Sequence, residues 1–412
     1  MTAAVATDLR EQAAETFAKL GWPTTRLEAW RYTNLAPLQK IAWRTDDAPQ
    51  AIESPATFAG RAALELVFVN GRLVSTSGDL KLAAPAEVRI ADWERNAMVA
   101  LNTANMQDGA RLEIPAGMVV DGFLSLLFIG NGDPSTSLGT GSIWSHPRNQ
   151  IVVGANAQVA IVETYVGSGS YFTNTVTEIV AGESAVVDHY KLQCESISAY
   201  HVASIFIRQE RAASVTSRSI AIGGTLARTE TNVSLAGEGA NVVLDGLFVG
   251  TATQHLDNLT AVDHVNPHCE SVQLYKGILD GNARGIFDGR IIVRPGAQKT
   301  VSRQTNRNLL LSETAIVDSK PNLEIHNDDV KCNHGSTIGQ IDDQQLFYLQ
   351  SRGIAADEAR NLLVYAFASE IVDRMKIEPV REQIRRALFQ AMPERLPERR
   401  AEGRGQRAEG EA

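Results

Sequence analysis

The middle of the chain repeats. The stretches "IVVGANAQV", "IVAGESAVV", "IRQERAASV" and "SLAGEGANV" align on Ala157, Ala185, Ala213 and Ala240, and two further steps reach Cys269 and Ala297. The steps are 28, 28, 27, 29 and 28 residues. Six residues before each anchor stand Ile151, Ile179, Ile207, Ser234, Asp263 and Ile291, and a valine follows two residues after each of the first four anchors. Short runs rich in Val, Ile, Thr and Ser, joined by Gly-containing turns at a near-constant period, are the signature of a solenoid. In such a fold each coil buries its apolar residues only by stacking on its neighbours. The spacing therefore predicts a mainly β fold, a parallel β-helix (β-solenoid), right-handed as crossover connections normally are. The alternative is a sandwich, which also spaces its strands regularly.

The flanks read differently. Leu9, Ala13, Phe17 and Leu20 share one helical face, with Thr7 placed to cap the start and Gly21 and Pro23 to end it. A tryptophan-containing stretch, "TTRLEAWRYTNL", follows at 24–35. "LVFVNGRLVS" at 66–75 predicts a tight hairpin, because Asn70-Gly71 suits the positive φ angles of a type I′ turn. The repeat fades around 313–330 and helix signals return. Asp342 is placed to cap a helix that Gly353 ends; Ala359, Leu362, Leu363, Ala366, Phe367 and Ile371 mark an apolar helical face; and Pro379 opens a last helix bearing Val380, Ile384 and Leu388. The expected organisation is an N-terminal helical/α+β region over 1–110, the β-helix over 111–330, a helical domain over 331–392 and a disordered tail over 393–412, where five Arg and five Glu meet no aromatic residue.

Charge and cysteine usage narrow the function. A formal net charge of −9 argues against a general nucleic-acid or anionic-membrane surface. The longest apolar stretch, around Phe123–Ile129, is far short of a membrane span, and the N-terminus shows no basic start followed by an apolar core. Cys194, Cys269 and Cys332 form no CxxC, so neither a disulfide framework nor a cysteine-only zinc site is expected. A reducing cytoplasm fits.

Two clusters carry ligand-type residues. In "DDVKCNHGSTIGQID" at 328–342, Cys332 and His334 stand at i and i+2, so in an extended segment both side chains leave from one face toward a shared ion. Thiolate and imidazole suit iron, zinc or copper. Two ligands do not complete a site, and the plain alternative is a buried cysteine and a hydrogen-bonded histidine closing the solenoid. The pair is expected to fall just beyond the last coil, where a docking partner chain would supply what is missing. The second cluster, His255, Asp257, Asp263, His264, His268 and Cys269, matches no ligand spacing, and polar ladders on solenoid turns explain it. The glycine-rich "GNGDPSTSLGTGS" at 130–142 lacks the GxxxxGK[ST] lysine of a nucleotide-binding loop and reads as a surface loop. No GxSxG elbow is present, and no paired acids recur on one face of the repeats, which leaves polysaccharide processing a remote reading.

The blocks "TTRLEAWRYTNL", "LYKGILDGNARGIFDGRIIVRPGAQKTVSRQTNRNLLLS", "KPNLEIHNDDVKCNHGSTIGQIDDQQLFYLQSRGI" and "ARNLLVYAFASEIV" resemble the SufB/SufD family of iron–sulfur cluster assembly proteins, from about residue 20 to 390. The KCNHG form resembles the SufD branch. The resemblance implies a right-handed β-helix between helical domains, in a complex with a SufB paralogue and the ATPase SufC. SufC would grip the C-terminal helices, here about 342–390 with Leu362, Phe367 and Ile371 on their face, and SufB would pair at the terminal coils. It implies that His334, with Cys332 beside it, lies at that junction and takes part in handling a transient iron or iron–sulfur cluster shared with SufB. Asn306 stands near the place of the SufB cysteine linked to assembly, which implies that this chain is not the main sulfur acceptor. The resemblance leaves open a homodimer of the chain alone and a reduced flavin in the complex. A purely structural, SufB-stabilising and SufC-docking role is the alternative to a ligand role.

Overall fold

The computed structural model describes residues 3–46, 52–54, 56–58, 60–85, 89–132 and 142–391, with side chains from Asp8 onward. The stretch 393–412 and most of the glycine-rich segment at 130–142 lie outside the described residues. The repeat forms a parallel β-solenoid of two sheets, of ten and nine strands, and successive strands alternate between them, so that each coil gives one strand to each sheet. Among the described residues six α-helices accompany it: α1 (Ala3–Leu20), α2 (Ala36–Gln39) and α3 (Ala97–Asn105) in the N-terminal part, and α4 (Asp343–Ser351), α5 (Ala356–Val372) and α6 (Glu378–Ala391) after the coils.

The anchors stack because the turn before each one is built the same way. Asn156, Ser184, Ala212, Gly239, His268 and Lys299 all take a left-handed φ of 54–71°. Each donates its N–H to a carbonyl of the next turn, as Ser184 does to Arg211 at 2.9 Å and Lys299 to Asp329 at 2.7 Å. The next residue in each case points inward, so Ala157, Ala185, Ala213, Ala240 and Cys269 are fully buried. The sixth member is Thr300 rather than Ala297, since Glu270 pairs with Val301 in register. Ala297 is buried within that longer turn. The isoleucine ladder also slips. Ile207 pairs with Val233, and Val233 with Val262, in place of Ser234 and Asp263. The connecting turn gains a residue in those coils, and a fixed period read from sequence does not see it. The observed ladder, Ile151, Ile179, Ile207, Val233, Val262 and Ile291, is aliphatic throughout and buried.

The hairpin forms as expected, between strands Leu64–Val69 and Arg72–Ser77, with Asn70 at φ 48° and Gly71 at φ 83°. It is not a separate unit: Leu64–Val69 pairs in parallel with Leu124–Asn131 and so begins the ten-stranded sheet. Helix α1 starts at Ala3, upstream of Thr7, so Thr7 lies inside it and caps nothing. Leu9 and Ala13 are buried while Leu20 is exposed. Gly21 ends the helix at φ 67°, donating its N–H to Phe17 at 2.7 Å. At the other end the parallel pairing runs on past 330. Strand Lys331–Gly339 is the last strand of the ten-stranded sheet, paired with Val301–Leu310. Cys332 and His334 therefore belong to the last coil and do not lie beyond it. Among the described residues, no helix is long and apolar enough to cross a membrane.

Helices α5 and α6 close one flank. Val364, Ala368, Ile371, Val372, Val380, Ile384 and Leu388 pack against Tyr190, Leu247, Leu274 and Ile278 on the outer face of the ten-stranded sheet. The buried stripe of α5 is thus rotated from the face read in sequence. Ile371 is fully buried against the sheet, Phe367 is half-buried under the Lys276 ammonium, 4.3 Å from its ring centre, and only Leu362 of the three is exposed. The expectation that Leu362, Phe367 and Ile371 form one partner-facing surface is corrected on that ground.

Candidate functional site at the open end of the solenoid

Every coil but the last is covered by the next one. The last, made of Ile316–Ile325 and Lys331–Gly339, has a neighbour on one side only. Its side chains follow the inward ladders, yet nothing lies above them. Cys332 continues the ladder Val242, Ser271, Ser302, and His334 continues Leu244, Gln273, Gln304. The lower members of both ladders are buried. Cys332 is half-buried against the cluster of Ile291, Val293 and Ala297, and His334 is exposed. Three isoleucines, Ile316 (53%), Ile325 (41%) and Ile338 (55%), stand exposed on the same coil. An apolar rim with a row of unpaired strand N–H and C=O groups is what proteins ordinarily cover.

The floor beneath Ser336, two residues along the strand from His334, is polar and hydrogen-bonded. Ser336 Oγ donates to Ser319 Oγ at 2.8 Å, and Ser319 Oγ donates to Asn306 Oδ1 at 2.7 Å. Asn308 Nδ2 donates to the same oxygen at 2.6 Å, and Asn306 Nδ2 donates to the carbonyl of Tyr275 at 3.2 Å. Asn306 is fully buried, one coil below Ser336. Its amide is a fixed structural bridge.

Chemically the two donors differ. Burial raises the Cys332 thiol above its ordinary pKa, partly opposed by a hydrogen bond from the Ser302 backbone, so the thiol form is favoured near neutral pH. His334 has no hydrogen-bond partner among the described residues and its ring is open to whatever docks. Two of the nearby acids are used elsewhere: Asp329 pairs with Lys299 at 2.7 Å and Glu324 with His326 at 3.1 Å. Among the described residues no group of three His, Cys, Asp or Glu is placed to hold a metal. The pair at strand spacing is thus an incomplete ligand set.

The second cluster disperses. His255 Nε2 meets the Thr33 hydroxyl at 2.8 Å. Asp257 accepts from Thr33 and from the buried Arg228, whose guanidinium lies 3.8 Å over the ring of Trp30. Asp263 pairs with Arg294 at 2.9 Å, His268 forms a turn, and the Cys269 thiol donates to the Gly237 carbonyl at 3.3 Å. These contacts explain "TTRLEAWRYTNL" as a strap laid on the nine-stranded sheet. Nothing in the linear sequence linked the strap to Arg228.

His264 is buried in an aliphatic ladder between Leu235 and Val293, bonded only to Ser271 at 2.9 Å. Burial lowers its pKa to about 4. The folded ring stays neutral while the unfolded one charges below about 6.5, so stability drains as pH falls from there toward 4. His264→Leu is expected to widen its stability advantage over the wild type by about 2 kcal/mol between pH 7.5 and pH 5. Urea denaturation at the two pH values checks it, and a constant gap would refute it.

Helix α4 is a surface the sequence reading did not single out. None of its residues is buried, and Phe347 (72%) and Tyr348 (56%) face outward. Its N-cap Asp342 accepts from the Gln344 N–H at 2.8 Å and Gly353 ends it at φ 86°, as expected.

Residues 136–367 match the SufBD core domain of the SUF system for FeS cluster assembly. The chain is 30% identical to the iron–sulfur cluster assembly protein SufD of Escherichia coli over 91% of its own length and 90% of that protein. It is 32% identical to an iron–sulfur cluster assembly SufBD family protein of Synechocystis, over 92% of this chain and 89% of the relative. It is 25% identical to SufD of Bacillus subtilis, over 92% of each. With the domain match spanning the coils and the open end, and with relatives aligned over nearly the whole chain, the protein belongs to the SufB/SufD family of iron–sulfur cluster assembly proteins and is SufD-like.

Proposed function

We propose that this SufD-like chain is a cytoplasmic, non-enzymatic scaffold that pairs through its open last coil with a SufB-type paralogue, and that a nascent iron–sulfur cluster is built at that junction. One observation carries the reading: on the last coil alone, the inward ladder positions of a closed solenoid end in exposed side chains, among them His334. A partner solenoid presenting its own last coil would cover the rim isoleucines and satisfy the free strand edge. His334 would donate one ligand to incoming iron, and Cys332, held as a thiol, would play the lesser part. The remaining ligands would come from the partner. The exposed Phe347 and Tyr348 on α4, with Leu362 on α5, would seat the ATPase SufC. The chain itself has no GxxxxGK[ST] loop, so ATP hydrolysis would fall to that partner.

Co-purification with untagged SufB and SufC, followed by iron and sulfide analysis, tests the ligand role. His334→Ala is expected to retain both partners while its iron and sulfide fall at least about tenfold, as for the loss of a first ligand or its support. Full cluster content in that variant would sink the ligand role. It would leave the second reading, a structural partner that stabilises SufB and docks SufC, which the exposed isoleucine rim and α4 favour independently of His334.

A further inference from the structure

A separate feature lies at the opposite end, where α1, the C-terminal end of α3 and the first coils line a cavity of about 520 Å³. That volume falls in the range of small-molecule sites. Most of its wall precedes residue 136, outside the stretch that matches the core domain.

Its charge is one-sided. Arg10, Arg89, Arg111 and Arg148 line it, and Asp108 is the one carboxylate among the described lining residues. Asp108 already accepts from the Leu73 N–H at 3.0 Å. Arg148 is neutralised by the buried Glu178 at 2.8 Å. Arg10 and Arg111 have no carboxylate partner among the described residues. Each spends one N–H on a neutral carbonyl, Arg10 on Met106 at 2.7 Å and Arg111 on Pro85 at 3.1 Å. The Nε of Arg111 and both polar atoms of the Gln107 side chain are shielded from water and make no hydrogen bond among the described residues. Buried polar groups are normally satisfied, and these atoms sit behind the wall, where they meet a ligand only when their side chains turn into the cavity. Leu9, Leu73, Trp93 and Met106 form the apolar part of the wall, beside the polar Thr103 and Gln150.

We infer that this cavity binds a small organic anion, a phosphate or carboxylate head on a flat apolar body. The head would sit between Arg10 and Arg111, whose planar forks suit both oxyanions, and Gln107 would turn its amide toward the head. The body would lie against Trp93 and Met106. The inference does not depend on the pairing proposed for the last coil, since the two sites share no residue.

Calorimetric titration of the full chain with 1-naphthyl phosphate and with 2-naphthoate tests it, with the neutral 1-naphthol as control. Saturable binding of either anion below about 1 mM is expected, with 1-naphthol failing to saturate. The two heads rank phosphate against carboxylate. Joint Arg10→Gln and Arg111→Gln substitution should weaken binding at least about tenfold, while Arg111→Lys, which keeps the charge, should lose less than that. Each variant is compared at matched melting temperature, so that a folding defect is not read as lost binding. Failure of both anions to bind, equal binding of 1-naphthol, or affinity unmoved by losing both arginines would overturn the inference.

Discussion

Ile338→Asp is expected to leave the chain about as stable as the wild type and to weaken its pairing with a SufB-type partner roughly a hundredfold. Ile338 stands over Asn308 on the last coil and is 55% exposed. A polar substitution at an exposed position usually changes stability by no more than about 0.5 kcal/mol. In the proposed interface the same carboxylate would be stripped of water with no cation facing it, at a cost of several kcal/mol. A loss of 3 kcal/mol or so corresponds to roughly a hundredfold in Kd. Denaturation of the isolated chain and titration with the partner separate the two effects. Unchanged affinity would mean that the open coil is not the contact surface.

Asp257→Ala is expected to be the most damaging single change to the fold. The Arg228 guanidinium is buried between the Trp30 ring and the Asp257 carboxylate. The nearest other acid, Glu230, is 4.0 Å away. Removing one partner of a buried pair strands the other charge, which costs about 3–5 kcal/mol. Thr33 loses its acceptor at the same time, so the strap at 24–35 should loosen and become open to proteolysis at Arg26 or Arg31. Asp263→Ala is the matched control. It breaks a largely exposed, solvent-screened pair with Arg294 and should cost far less than Asp257→Ala. Similar losses for both variants would show that Arg228 finds another partner.

The architecture was legible because a solenoid writes its period into the sequence. The anchors from Ala157 to Cys269, the Asn70-Gly71 turn and the Asp342 cap each follow from local rules that the tertiary structure did not override. What failed was phase. Turns that gain residues moved the ladder to Val233, Val262 and Thr300, and side chains facing the core cannot be told from those facing solvent once the register slips by one. The end of the solenoid was misplaced for a related reason. "KCNHGSTIG" alternates like a strand but lacks the aliphatic ladder of the inner coils, because nothing covers it, and so it looked like a connection. The α5 stripe was misassigned because that helix carries apolar residues nearly all round, and only its packing shows that Ile371 faces the sheet while Leu362 does not. Contacts distant in sequence, such as Trp30 with Arg228, were beyond periodicity altogether. Of the candidate ligands, Cys332 and His334 share one face as the i, i+2 spacing implied, and the exposure that distinguishes them came only from the three-dimensional structure.

The central claim is that the last coil is the partner surface. Hydrogen exchange across Lys331–Gly339, measured on the free chain and on the chain bound to its SufB-type partner, tests it most directly. The outward amides of that strand have no neighbour in the free chain and should exchange fast. Binding is predicted to slow them markedly, together with those of Ile316–Ile325. Unchanged exchange in both strands, with protection confined to α4, α5 and α6, would contradict the account.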